Sequence, residues 1–396
     1  MSFLVTAGRG VLAIALAVLW TAAPATAEAE PARCRPAKGS LKVAEGWPQQ
    51  RLGLPAVWPL TRGDGVTVAV VDSGVDPTHP QIRLTKSVDL TGTGYSDCVG
   101  HGTAVAGIIA GRQIAGVPYY GVAPGVRLIS LKQTNSEDGD VQLLAEGIKR
   151  AADLGADVIN VSVQAQDNPI LRQAVNYALA KDIVIVAAAG NVTSEDGTLL
   201  PYYPASYEGV LAVGAAASDG RRVDSSSAGT PVAVLGPGKD ITSTWTGSSY
   251  VSGLEGTSFA APYVAGVAAL VRARFPDLDE QQVRQRIIAT ADGTLGAGTG
   301  SGMVNPLLAV TAILPFEPAD QPVIAPPPPA PLPPGAVAKV PPVDHEAVGA
   351  AITVGVLALS GAGLVLAGRV VLPLGRRRGW RPGRPTVSSQ RGDGDF

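Results

Sequence analysis

Residues 65–74 read GVTVAVVDSG, a dense run of β-branched side chains that ends on an acid and a glycine. A strand with one wet face alternates apolar and polar residues. An unbroken apolar run instead marks a strand buried on both faces, as in a parallel sheet covered by helices. Asp72 then stands at the carboxyl end of that strand. Similar runs recur at residues 126–131, 156–163 (ADVINVSV), 183–189 (IVIVAAA), 210–217 and 232–235. Between them, residues 101–111 (HGTAVAGIIAG), 142–154 and 169–180 carry apolar residues at helical spacing, and further helices are expected from Ser258 onward and over 279–290. This alternation predicts an α/β fold, one doubly wound parallel sheet with helices on both faces. In such sheets ligands bind outside the carboxyl ends of the strands. Asp72 and Asn191 lie at such ends, and His101 at a helix start.

The ends of the 396-residue chain differ in composition from its middle. Residues 1–27 have the layout of an export signal: Arg9, the apolar run 11–20 (VLAIALAVLW), then Ala25-Thr26-Ala27 as a cleavage pattern. An uncleaved anchor is the alternative. Residues 28–58 are polar, with Pro31, Pro36, Pro48 and Pro55 and little periodicity, and are expected to form an arm wrapped on a folded domain at 59–313. Twelve prolines between Pro315 and Val343 make residues 314–346 an extended stalk without a core, reaching roughly 90 Å at about 3.1 Å per residue. Residues 347–368 are 22 positions without a charge, about 33 Å as a helix, enough to cross a bilayer. Asp344 and Glu346 precede that run, while Arg369, Arg376, Arg377, Arg378 and Arg381 follow it. The positive-inside tendency therefore puts the tail, 369–396, in the cytoplasm and the folded domain outside.

A formal net charge of −2 and the absence of a Lys/Arg patch in the folded region give no reason to expect nucleic acid. Two cysteines, Cys34 and Cys98, are too few for a Cys-built zinc site. They fit one disulfide in an exported protein, with two separate thiols as the alternative. Such a bridge ties the arm to the loop before His101, and closing a loop of about 65 residues contributes roughly 4 kcal/mol by chain entropy.

Residues 256–262, GTSFAAP, place Ser258 where a turn hands over to a helix. The unpaired N–H groups and positive dipole end there favour negative charge, which suits an oxyanion developing beside a serine nucleophile. A capping role for Thr257 or Ser258 explains the same string. Serine chemistry also needs a base, an acid to orient it, and oxyanion donors. Of the three histidines, His345 sits beside the long apolar run and His79, in DPTHP, lies among turn formers, which leaves His101 as base. Asp72 is the candidate acid. Its DSG string also occurs in aspartic proteases, but those need two carboxylates sharing a proton, and no second DSG or DTG is present. A plain turn aspartate is the other reading. Asn191 closes IVIVAAAGN and is the candidate oxyanion donor, or a turn asparagine. Ser258 is not in a G-x-S-x-G frame, which disfavours an α/β-hydrolase elbow.

As a set, VAVVDSGVD around Asp72, HGTAVAGIIAG from His101, VINVSV around Ser162, AAAGN ending at Asn191 and GTSFAAPYVAGVAAL around Ser258 resemble the subtilases, the subtilisin-like serine proteases. The chain order acid, histidine, serine is theirs. The resemblance implies that Asp72, His101 and Ser258 form a catalytic triad and that Asn191 and the Ser258 N–H bind the oxyanion. It also implies that Ser162 lies on a strand that pairs with the substrate backbone and that no cofactor is needed. The export signal, the arm, a Cys shortly before HGT, Phe259, the proline-rich stalk and the C-terminal apolar run look like the mycosins. These are membrane-anchored proteases associated with type VII secretion in actinobacteria. That likeness implies protein substrates that are themselves secreted, and a second role in steadying the membrane secretion complex.

Two departures stand out. Val163-Gln164-Ala165 follows Ser162 where many subtilases have glycines, which is expected to reshape the substrate pocket, and Phe259 replaces the more usual methionine. No calcium-loop signature is seen, and no metal is expected. Two other functions fit the chain: a structural subunit of a membrane assembly in which proteolysis is dispensable, and a surface peptidase without a secretion partner.

Overall fold

The computed structural model describes residues 34, 36–136, 139–191, 200–226, 229–294, 296–317 and 345–379. Seven strands form one sheet: β1 (Thr67–Asp72), β2 (Leu84–Asp89), β3 (Arg127–Lys132), β4 (Val158–Val161), β5 (Val184–Ala188), β6 (Leu211–Ala216) and β7 (Val234–Pro237). Their order is β2-β3-β1-β4-β5-β6-β7, and every pairing is parallel. Val68 and Val70 of β1 enter one apolar cluster and Ala69 and Val71 another, while Val184 and Val186 of β5 are divided from Ile185 and Ala187 in the same way. The period of two is therefore present, but it divides two apolar layers rather than core from water. That is why these strands read as unbroken runs.

The helices are α1 (Trp47–Leu52), α2 (Leu54–Val57), α3 (His101–Ala110), α4 (Val141–Asp153), α5 (Pro169–Leu179), α6 (Thr257–Arg274), α7 (Glu280–Ala289) and α8 (Pro306–Thr311). Leu144, Ile148, Leu171 and Val175 bring α4 and α5 to one face of the sheet. Each starts at a side-chain cap: Asp140 accepts from the N–H groups of Gln142 and Leu143, and Asn168 from that of Ile170. On the other face α6 runs through the core, packed against α3, β5, β6 and β7. Its residues 259–272 are all buried, the behaviour of a helix that is apolar all round.

Four features carry no apolar pattern in the sequence. β2 (LTKSVD) is an edge strand with no fully buried residue, so it has no continuous hydrophobic run. An antiparallel hairpin pairs β8 (Ile241–Trp245) with β9 (Ser249–Leu254) and is rich in Ser and Thr. The pair α1–α2 is short and broken at Gly53, yet it buries Leu52, Leu54, Val57 and Trp58 in the same cluster as α3 and α6. α8 is one short turn-and-a-half that starts at an Asn305 cap. Thus residues 47–58, expected to be part of an arm with little periodicity, carry helices that join the core.

Cys34 and Cys98 form a disulfide across 64 residues of sequence. Ser40 and Tyr250 exchange two backbone hydrogen bonds of 2.8 Å, and Trp245 Nε1 donates to Ala37 O at 2.7 Å. The arm is thereby fastened to the hairpin. A separate compact unit contains α9 (His345–Arg377), whose stretch Gly349–Arg377 holds an 18-residue window of mean hydropathy 2.1 and is long and apolar enough to cross a membrane. The helix continues beyond the uncharged run at 347–368, through Arg369 and Pro373 to Arg377. The expected export signal, most of the stalk and the end of the tail lie outside the described residues.

Candidate active site

Asp72 is delivered by the carboxyl end of β1 and is 1% exposed. Its Oδ1 accepts from His101 Nδ1 at 2.8 Å and from the Ser73 N–H at 2.8 Å. A carboxylate oxygen only accepts, so this bond places the ring proton on Nδ1 and leaves Nε2 with its lone pair. His101 opens α3, whose cap position is Gly100 and has no side chain to give. Asp97 caps the helix in its place, accepting from the N–H groups of Gly100 (2.7 Å) and Thr103 (2.9 Å) and from Thr103 Oγ1 (2.6 Å). Burial pushes the Asp97 carboxyl up from its ordinary pKa, against the pull of the Thr103 and Gly100 hydrogen bonds. Ser73 Oγ lies 2.9 Å from Asp97 Oδ1 and 3.2 Å from Asp72 Oδ1, so one hydroxyl links the two buried acids.

Lys132 pairs with Asp72 in the β1–β3 register. Its ammonium donates to the carbonyls of Gly94 (3.0 Å) and Ser96 (2.7 Å), and burial lowers its pKa. The loop that leads into His101 is therefore held by Lys132, by Asp97 and by the Cys34–Cys98 bridge.

Ser258 is the second residue of α6 and half-buried. The cap is Gly256, so neither Thr257 nor Ser258 is spent on capping. Asn191 Oδ1 accepts from Thr257 N (3.0 Å) and Thr257 Oγ1 (3.2 Å), which leaves the Nδ2 group of Asn191 as the end with donors to offer. A Cβ at Gly256 would lie 3.2 Å from Asn191 Nδ2 and 3.5 Å from Ser258 Oγ. Amide and hydroxyl thus converge on one small space. Gly256 keeps that space open at a φ of 142°, a region that side-chain-bearing residues avoid.

Pro262 sits inside α6, four residues after Ser258, and has no N–H to bond the Ser258 carbonyl. Ser162 Oγ supplies the missing donor at 2.7 Å and accepts from Asn160 Nδ2 at 2.9 Å. The Ser162 hydroxyl is committed to the serine turn. Its position one residue beyond β4 still puts it on the cleft wall.

Asp72, His101, Ser162, Asn191, Ser258 and Phe259 all line a single cleft of about 670 Å³. The Phe259 ring packs on the His101 imidazole with centroids 5.0 Å apart. Ala37 of the arm also borders this cleft. His79 is elsewhere: Nε2 meets Ser249 O at 3.1 Å, Nδ1 accepts from the Gln81 N–H at 3.2 Å, and burial lowers its pKa. It fastens a loop to β9, as its turn-rich setting predicts. The sequence reading missed Ser73, Asp97 and Lys132, and gave Thr257 a capping role where it instead holds Asn191. The signals were an acid four residues before His101 and polar residues beside Asp72 and Ser258.

Residues 63–307, more than half of the chain, match the Subtilase family. The chain belongs to the subtilase family. Mycosin-1 of Mycolicibacterium smegmatis is 35% identical over 350 residues, covering 73% of this chain and 78% of that relative. A crystal structure of MycP1 from the ESX-1 type VII secretion system aligns with a TM-score of 0.65 at 33% identity, over 72% of this chain and 93% of the other. A chain in the periplasmic assembly from the ESX-5 inner membrane complex aligns at 0.62 and 32% identity, over 72% and 89%. This subtilase is a serine protease of the mycosin type.

Proposed function

We propose that Asp72, His101 and Ser258 are the catalytic triad of this subtilase and that the cleft hydrolyses peptide bonds in secreted proteins. His101 Nε2 takes the Ser258 proton as Oγ attacks the scissile carbonyl, and Asp72 orients and stabilises the resulting imidazolium. Asn191 Nδ2 and the Ser258 N–H at the start of α6 bind the oxyanion. His101 then protonates the leaving amine, and water hydrolyses the acyl-enzyme. The reading is carried by the 2.8 Å Asp72–His101 bond at the edge of the cleft that Ser258 and Asn191 share. Ser162 lies next to β4 on the wall where an extended substrate would pair through its backbone.

The chain is anchored by α9 after an exported domain, with the arginine-rich tail in the cytoplasm. Its setting is a type VII secretion membrane complex, the assembly in which a structural neighbour occurs. Residues 1–27 act as the export signal, 28–58 as the extension, 59–313 as the peptidase domain, 314–346 as the linker, 347–368 as the membrane span and 369–396 as the tail. Ser258→Ala in the native host tests both roles. Loss of substrate processing with secretion intact is the expected result. Processing that persists in the variant would refute the assignment of the nucleophile. Secretion lost with an inert but folded protein would tie both roles to the same hydroxyl.

A further inference from the structure

β4 and β5 are neighbours in the sheet, and at their carboxyl ends Ser162, Val163 and Gln164 from one strand and Ala188, the last residue of β5, and Asn191 from the other line a gap in the cleft. Gln164 crosses this gap. Its Oε1 accepts from the Asn191 N–H at 3.2 Å. A Cβ at Gly190 would lie 3.0 Å from the same oxygen and would strike the Tyr202 ring. The backbone that carries Gln164 is pinned as well, because Ala165 exchanges hydrogen bonds of 2.8 and 3.0 Å with Tyr203. The glutamine is tethered at its amide and at its next residue, so it forms a fixed part of the wall.

Strand order tells which part of a substrate meets it. Along the sheet edge come β1, which bears Asp72, then β4, then β5, which leads to Asn191. His101, held on Asp72, hands a proton to the departing amine, so the leaving half lies toward β1. The retained acyl half extends over β4 and β5. The side chain just before the scissile bond therefore enters the gap that Gln164 crosses.

We propose that Gln164 is a specificity-determining residue. Exposed and tied by its amide oxygen across the mouth of that pocket, it admits small side chains, such as those of alanine and serine, before the scissile bond and turns away large aromatic ones. The inference rests on the serine-peptidase reading of this cleft. Steric exclusion of this kind is a repulsive element built against the wrong partner, and even a single methylene of fit changes rates by about 10- to 200-fold.

The test uses the full chain in detergent and two peptidyl diphenyl phosphonates that differ only in a methyl or a benzyl group at the position before the reactive phosphorus. The rate of Ser258 modification is read by mass spectrometry. The wild type is expected to react at least about tenfold faster with the methyl reagent. Gln164→Gly should erase or invert that ratio, and Gln164→Ser serves if the glycine variant melts early. Gln164→Met keeps the bulk without the amide and should keep the preference. Equal rates in the wild type, or an unchanged ratio in the glycine and serine variants, would overturn the proposal. A wild type in which neither reagent nor a small fluorophosphonate reaches Ser258 would instead overturn the peptidase reading beneath it.

Discussion

On the β1 side of the cleft, charged groups and a covalent bond fix the geometry: buried Asp72 and Asp97 share Ser73, Lys132 clamps the preceding loop, and Cys34–Cys98 closes it. On the β5 side the fixing groups are neutral. Thr257 holds Asn191, Ser162 replaces the hydrogen bond that Pro262 cannot give, and Gln164 spans the two strand ends. The His101 side is thus an electrostatic construction that presents one tautomer of one imidazole. The Ser258 side is a steric construction that keeps the space beside the hydroxyl open. Changes of charge, pH or redox state should act mainly on the first, and changes of side-chain size mainly on the second.

The sharpest way to break this contrast is Asp72→Asn, which keeps the shape and removes the charge. It should lower kcat by about 10⁴ with little change in KM, because the amide favours the wrong tautomer of His101. A loss under tenfold would show that charge is not what fixes the base. Next, a Cys34→Ser and Cys98→Ser double variant should lose roughly 4 kcal/mol of stability, read by denaturant unfolding, since a loop across 64 residues is no longer closed. An unchanged stability would remove the bridge from the account. Asn191→Ala acts on the neutral side and should cost about 10²–10³ in kcat, the range seen when one such donor is removed from a subtilisin. The melting temperature should fall by a few degrees, because the buried Thr257 N–H loses its acceptor.

The smallest effect is a pH dependence of stability. His79 is buried with its folded-state pKa below the ordinary 6.5. The unfolded chain therefore binds a proton first as pH falls, and stability that is full above about 6.5 declines below it. His79→Gln should flatten the fall in melting temperature between pH 7.5 and 5.5, without changing the pH profile of catalysis. A changed catalytic profile would place His79 in the cleft's chemistry.

Much of the fold was legible because the central strands are buried on both faces, so residues such as 68–71 and 184–187 announce themselves as apolar runs. β2 and the β8–β9 hairpin were not legible, since an edge strand and a Ser/Thr-rich hairpin need no such run. α1 and α2 were hidden by their shortness and by Gly53 and Pro55. In the site, Asp72, His101, Asn191 and Ser258 were findable from motif and strand-end position. Lys132 was not, because its contribution exists only across the β1–β3 register, and Asp97, an acid four residues before His101, shows its role only once the turn before α3 is formed. Ser162 was expected on a strand and lies one residue beyond β4, on the cleft wall, and its bond to the Ser258 carbonyl follows from Pro262, a relation visible only once both are placed.

The most direct measurement is to treat the solubilised full chain with a fluorophosphonate and map the adduct by mass spectrometry. Stoichiometric modification of Ser258, abolished in His101→Ala and strongly slowed in Asp72→Asn, is the predicted result. Modification at another residue, or labelling of Ser258 that is indifferent to His101, would contradict the account.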